Sequence, residues 1–162
     1  MARNVKTERE RTATATAEFA DGDNLLITYR LGLITPEFWP SMFNRPARQV
    51  LADLLVSWDL EDDDHQPMQP APLTDVEHWN EAARQARVDQ AITQRIEEAS
   101  KAQTPVALPT DKEAEALRAE PPTAVERRAA YTAAWCAILA TVPQFVLLTV
   151  HDTIIKDVRP GK

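Results

Sequence analysis

Clustered carboxylates, three histidines and one cysteine are the groups in this 162-residue chain with chemistry to offer. The densest cluster is Asp59-Leu60-Glu61-Asp62-Asp63-Asp64-His65, where Asp62 and Asp64 alternate as calcium ligands do and His65 adds a nitrogen donor. A calcium loop of the helix-loop-helix type needs a glycine at its sharp turn and a closing bidentate glutamate. This run has no glycine, and Gln66-Pro67 stands where further ligands would be needed. It reads as a solvated loop that keeps the surface charged, with the steering of a partner as its next use. His151 and Asp152 are neighbours on a helical pattern, so their side chains diverge by about 100° and form no oriented pair. His78, between Glu77 and Glu81, reads as solvated. Cys136 follows Trp135 in an apolar stretch, the setting of an inert buried thiol, and no histidine stands at a local spacing that would activate it. Ser41, Ser57 and Ser100 lie outside any G-x-S-x-G elbow. Three glycines are too few for phosphate-cradling or dinucleotide loops, and one cysteine excludes disulfide frameworks and zinc fingers. The expectation is a protein without catalysis, metal or cofactor.

Charge narrows the partners. The net charge is −7, and residues 59–81 carry eight acids and no Lys or Arg, while the flanking segments are close to balanced. Such a segment repels phosphate backbones, which argues against nucleic acid. No apolar run approaches 18 residues and no signal segment opens the chain, so a soluble intracellular protein with no membrane contact is expected.

The elements that must position these residues follow from periodicity. Residues 1–11 are polar and aperiodic and read as a flexible tail. Threonines recur every second residue from Thr12 to Thr16, a turn signal follows at Asp21-Gly22-Asp23, and Leu25 to Arg30 reads as a second strand: a β-hairpin. Thr35 and Pro36 open a short helix that Pro40 ends. Val50, Leu51, Leu54, Leu55 and Trp58 make a wide apolar stripe for one helix over 46–58. Capping boxes at Thr74–Glu77, Thr110–Glu113 and Thr123–Glu126 each announce a helix. The first, running to about Ala102, is alanine-rich with a thin apolar face, and predicts an exposed arm suited to self-association. The helix after Thr123 carries Tyr131, Trp135, Ile138 and Leu139, and the last, opened by Pro143, places Val142, Val146, Leu147, Val150, Ile154 and Val158 on one side. The fold class expected is α+β, mainly α: an N-terminal β-hairpin on a small bundle of amphipathic helices. Residues 12–74 and 138–162 would form the core domain and 75–137 a helical insertion.

Four tryptophans are the strongest interaction candidates. Trp58 and Trp135 continue core stripes, whereas Trp79 on the alanine-rich helix reads equally as a local dock or an interface anchor.

Three stretches, in order, carry a resemblance: Leu26-Ile27-Thr28-Tyr29-Arg30-Leu31-Gly32-Leu33-Ile34-Thr35-Pro36-Glu37; Leu54-Leu55-Val56-Ser57-Trp58-Asp59-Leu60-Glu61 into the aspartates and Pro72-Leu73-Thr74; and Val142-Pro143 through Ile155-Lys156-Asp157-Val158-Arg159-Pro160. Together they resemble the small tail assembly chaperones of long-tailed bacteriophages and prophages. There the pattern is a Tyr-Arg strand end, a Trp-Asp-Leu element before an acidic turn, and a final helix closing on an acid and Arg-Pro. The resemblance covers about half the chain. Two departures stand out: the inserted middle segment, and His65 where a glycine often follows the aspartates. The resemblance implies a non-catalytic factor that binds the tape measure protein, promotes tail tube polymerisation around it, and leaves before the virion matures. It implies tape measure and tail tube proteins as partners, and the host bacterial cytoplasm as location. A structural tail or neck component retained in the particle is the alternative. A binder of long apolar helices needs apolar stripes on an acidic body. The residues expected to meet the partner are Trp58, Asp59, Asp62, Trp79, Val146, Val150 and Ile154, with the hairpin edge beside them.

Overall fold

The computed structural model describes residues 8–73 and 79–159. The Thr74–Glu77 capping box and His78 lie outside the described residues. The chain is α+β and mainly helical, and it divides into two compact units: residues 1–70 with 132–162, and residues 71–131.

In the first unit the hairpin forms as its pattern predicts. Strand β1 (Ala13–Glu18) pairs antiparallel with β2 (Asn24–Tyr29), from Ala13 opposite Tyr29 to Glu18 opposite Asn24. Gly22 takes φ 90° in the turn, a conformation that only glycine adopts without steric cost. Thr14, Thr16 and Glu18 point to solvent, while the alanines alternate inward opposite Leu25, Ile27 and Tyr29. This column of small side chains leaves a shallow trough on β1, and helix α6 (Gln144–Val158) packs into it.

The 46–58 stripe does not make one helix. Helix α2 (Ala47–Leu54) stops, and Leu55–Trp58 becomes β3, the third strand of a sheet ordered β1-β2-β3. The reason is visible in the register. Leu55 sits opposite Tyr29 and Trp58 opposite Ile27, with the pairing shifting between Thr28 and Tyr29. The irregularity lets two residues three apart on β3 face two residues two apart on β2, so both point into the core. An i, i+3 spacing that looks helical is here a bulged strand. Pairing with the second edge of β2, extended by the Arg30 N–H donating to Leu54 O at 2.8 Å, outweighs continued helix.

Ahead of it, the Thr35 hydroxyl accepts from the Phe38 N–H at 3.2 Å, but that turn does not grow; helix α1 begins past Pro40, at Ser41–Asn44. Residues 8–11, expected to be frayed, are instead placed. Arg11 O accepts from the Gly32 N–H at 2.9 Å, and the chain at Glu8 and Arg9 passes so close to Gly32 that a Cβ there would stand 2.6 Å from the Arg9 carbonyl. The core gathers Ala17, Leu25, Ile27 and Tyr29 from the sheet, Val50, Leu51 and Leu54 from α2, and Val146, Leu147, Val150, Ile154 and Ile155 from α6. Each buried aliphatic side chain contributes about 1.5–3 kcal/mol.

The second unit contains α3 (Glu81–Ala102), α4 (Asp111–Ala119) and the first part of α5 (Ala124–Leu139). Asn80 caps α3, its Oδ1 accepting from the Ala83 N–H at 3.1 Å, so this helix starts after the expected capping box. Helix α3 is not a bare arm. It packs on α4, and arginine does the joining where aliphatic surface is scarce. All five N–H donors of Arg87 are used: Nε and Nη2 hold both oxygens of Glu126 (2.6 and 2.8 Å), Nη1 reaches Leu117 O and Glu120 O (2.5 and 2.9 Å), and Nη2 also reaches Pro121 O at 3.2 Å. Arg84 adds a bond to Arg118 O at 2.7 Å. Leu117 O and Arg118 O belong to the last turn of α4, where carbonyls lack partners within their own helix and carry its negative dipole end, and Glu120 O and Pro121 O follow just past it. Glu126 also completes its capping box, exchanging 3.1 Å bonds with Thr123 in both directions.

Candidate functional site

Residues 26–37, 54–64 and 142–159 of the three stretches that carry the resemblance meet in the first unit; Pro72 and Leu73 belong to the second, and Thr74 and Pro160 lie outside the described residues. Buried Tyr29, at the end of β2, donates its phenolic hydrogen to Asp157 Oδ2 at the end of α6, 2.6 Å away and 128 positions along the chain. Burial pushes the Tyr29 hydroxyl well above its ordinary pKa of 10, and the bond to Asp157 and its negative charge push it further. The Trp58-Asp59 element, at the end of β3, pairs with that strand. The Asp59 N–H donates to Leu26 O at 3.2 Å, and Asp59 Oδ1 accepts from the Leu26 N–H at 2.8 Å, so this carboxylate finishes the β2–β3 ladder.

The acidic run then folds back on itself. Trp58 Nε1 donates to Met68 O at 2.6 Å, the Met68 N–H donates to Leu60 O at 2.9 Å, and Glu61 bridges to Pro67. Asp62 builds the tip: its Oδ1 accepts from the N–H groups of Asp64 and Gln66, both at 2.9 Å. His65 occupies the left-handed region there, with φ 58°. This is the position where the resemblance expects glycine. Its ring lies 3.3 Å from Glu61 Oε2, at an exposed pair. Among the described residues no group of three His, Cys, Asp or Glu side chains is gathered closely enough to hold a metal ion.

The seven residues expected to meet a partner fare differently. Asp59 and Asp62 lie at the surface, with carboxylate oxygens engaged in building the turn, while Glu61, Asp63 and Asp64 project beside them. Trp58 is buried, edge-on to Trp135 at 5.5 Å between ring centroids. Trp79 is buried under the Arg87 guanidinium, 4.5 Å from the ring centroid, and so docks locally. Val146, Val150 and Ile154 do not form an exposed stripe; they are the side of α6 that fills the core of their unit. The wheel identifies an apolar side correctly but does not say whether the chain itself covers it. His151 is half-buried where solvent exposure is expected, and its Nε2 has no hydrogen-bond partner among the described residues. Cys136 is half-buried.

Residues the sequence reading passed over supply the apolar surface. Phe145 and Leu148, on the outer side of α6, are 64% and 50% exposed, and Phe19 from the hairpin turn meets the Phe145 ring edge-on at 6.3 Å. A signal for them exists: no charged side chain stands between Arg128 and Asp152, although part of that stretch is at the surface. A second exposed aromatic, Phe43, packs against Trp39 at 5.4 Å.

No protein-family model matches the chain, and neither a curated protein nor a solved structure matches it. Among the described residues no helix is long and apolar enough to cross a membrane.

Proposed function

We propose that this protein is a tail assembly chaperone of a long-tailed bacteriophage or prophage. In this reading it binds the tape measure protein, promotes polymerisation of the tail tube, and performs no catalysis. The observation that supports the reading is the convergence of the three resembling stretches. Separated widely in sequence, they are joined by the Tyr29–Asp157 bond and by the β2–β3 ladder that Asp59 completes. His65 adds to this, because its backbone takes the conformation for which glycine is the usual choice at that point of the pattern. The chemistry of the surface is compatible with the role: an acidic turn for solubility and an exposed apolar ridge at Phe145 and Leu148 for a helical client.

Co-expression with a tape measure protein from the same genome tests the reading. The expected result is a several-fold higher soluble yield of the tape measure protein and its co-purification with this chain. An unchanged yield with no co-purification overturns the proposal.

A further inference from the structure

We infer that the corner formed by the start of α6 and the hairpin turn docks the apolar side of a basic amphipathic helix. Phe145 and Leu148 are three residues apart on α6, and Phe19 leans against the first of them, which makes a short apolar ridge with an aromatic flank. The exposed residues leading into it, among them Ala140, Thr141 and Gln144, are uncharged. Loss of charge at the centre of a patch, with an aromatic and an aliphatic anchor, is the composition of an interface centre, not of ordinary surface.

The charges around the ridge say what covers it. Glu18 at the end of β1 and Asp21 and Asp23 on the turn that carries Phe19 are all exposed, and exposed Asp152 lies one helical turn beyond Leu148. No Lys or Arg occurs from residue 12 to 29 or from 129 to 155, so within these segments the ridge is bordered by acids alone. Lys156 pairs with Asp152 at 2.7 Å and marks the far end of this zone. An occupant must therefore bring its own cations beside an apolar stripe, which a helix with Leu or Ile at i, i+3 and i+4 and Lys or Arg on its shoulders does. A second copy of this chain is disfavoured, because like charges would meet across the same patch. Naming the occupant as a segment of the tape measure protein rests on the reading above; the docking surface does not.

The experiment uses two probes against the full chain: the tape measure protein, and a synthetic 18-residue amphipathic helix of leucine and lysine followed by fluorescence anisotropy. Two variants are compared with the wild type, Phe145→Ser with Leu148→Ser, and Glu18→Lys with Asp23→Lys. Phe43→Ser serves as a control at the other exposed aromatic, and circular dichroism checks folding. The expected result is a loss of at least tenfold in affinity for both probes in the first variant. The second variant, altered only at exposed positions on either side of the hairpin turn, loses affinity most strongly at low salt, and the control is unchanged. Should the first variant fail to fold, the second decides. Wild-type capture of the tape measure protein that both variants retain overturns the inference and leaves the function standing. Peptide binding that depends on Phe145, without capture of the tape measure protein, does the reverse. Binding of neither probe overturns both.

Discussion

Replacing Tyr29 with phenylalanine isolates the bond that ties the end of β2 to the end of α6. The ring of Tyr29 is fully buried and phenylalanine keeps it, so packing is conserved and the change is the hydroxyl that donates to Asp157 at 2.6 Å. A hydrogen bond to a charged acceptor contributes about 1.5–3 kcal/mol. Asp157 is exposed and regains water when the hydroxyl is lost, which places the cost at about 1–2 kcal/mol. For a unit of this size that is a fall of roughly 4–15 °C in melting temperature. The pH dependence is a second readout. The folded state holds the phenol protonated above its ordinary value of 10, so the contribution is complete below pH 10 and is lost as pH rises beyond it. The loss is at most about 1.4 kcal/mol for each pH unit above that point. Urea titrations followed by tryptophan fluorescence at pH 7, 10 and 11 measure both. Wild type should weaken by about 1 kcal/mol between pH 10 and 11 more than Tyr29→Phe does. A variant within about 0.5 kcal/mol of wild type at pH 7, with the same alkaline decline, would show that the bond joins nothing of consequence.

Three further outcomes follow from the same geometry. Arg87→Lys keeps the charge but cannot reproduce the bidentate grip on Glu126 together with three carbonyl bonds, and should destabilise the second unit by about 1.5–3 kcal/mol, read as faster hydrogen exchange in α3 and α4. The guanidinium holds the Glu126 carboxyl at about 2, below its ordinary 4.5, so this contribution is present above pH 4.5 and fades toward pH 2; equal protection factors at pH 5 and pH 2.5, each corrected for intrinsic exchange at that pH, would contradict it. Gly32→Ala places a methyl group against the backbone of Glu8 and Arg9, costs about 1–3 kcal/mol, and should speed tryptic cleavage after Arg9 and Arg11; unchanged cleavage counts against the placement of that segment. His65→Gly relieves a left-handed residue and should stabilise by roughly 0.5–1 kcal/mol, whereas His65→Val should destabilise; the opposite order would refute the turn geometry.

Much of the fold is legible where a local rule decides alone. The alternating threonines with Gly22 specify the hairpin, the Thr123–Glu126 capping box closes in both directions while the Thr110 hydroxyl caps its helix and Glu113 turns to Arg95, and the apolar side of α6 is buried as its periodicity requires. What escapes local reading is decided by tertiary partners. Leu55 and Trp58 keep a helical spacing inside a bulged strand because β2 has a second edge to satisfy. Helix α3 lacks the aliphatic stripe that announces packing because Arg84 and Arg87 join it to α4 through carbonyl oxygens. The same limit applies to the candidate site. Periodicity cannot distinguish an apolar side buried by its own chain from one offered to another, and so it selected Val146, Val150 and Ile154 while Phe145 and Leu148 hold the exposed positions. The run of uncharged residues through an exposed corner was the available clue.

The proposed function requires a transient association with another polypeptide during assembly. Quantitative mass spectrometry of complexes isolated on a tagged copy of this chain from cells assembling particles, alongside mature particles from the same culture, tests it most directly. Tape measure peptides should be the dominant enrichment in the first sample, and peptides of this chain should be absent from the second. Stoichiometric amounts of this chain in mature particles, or complexes devoid of the tape measure protein, would contradict it.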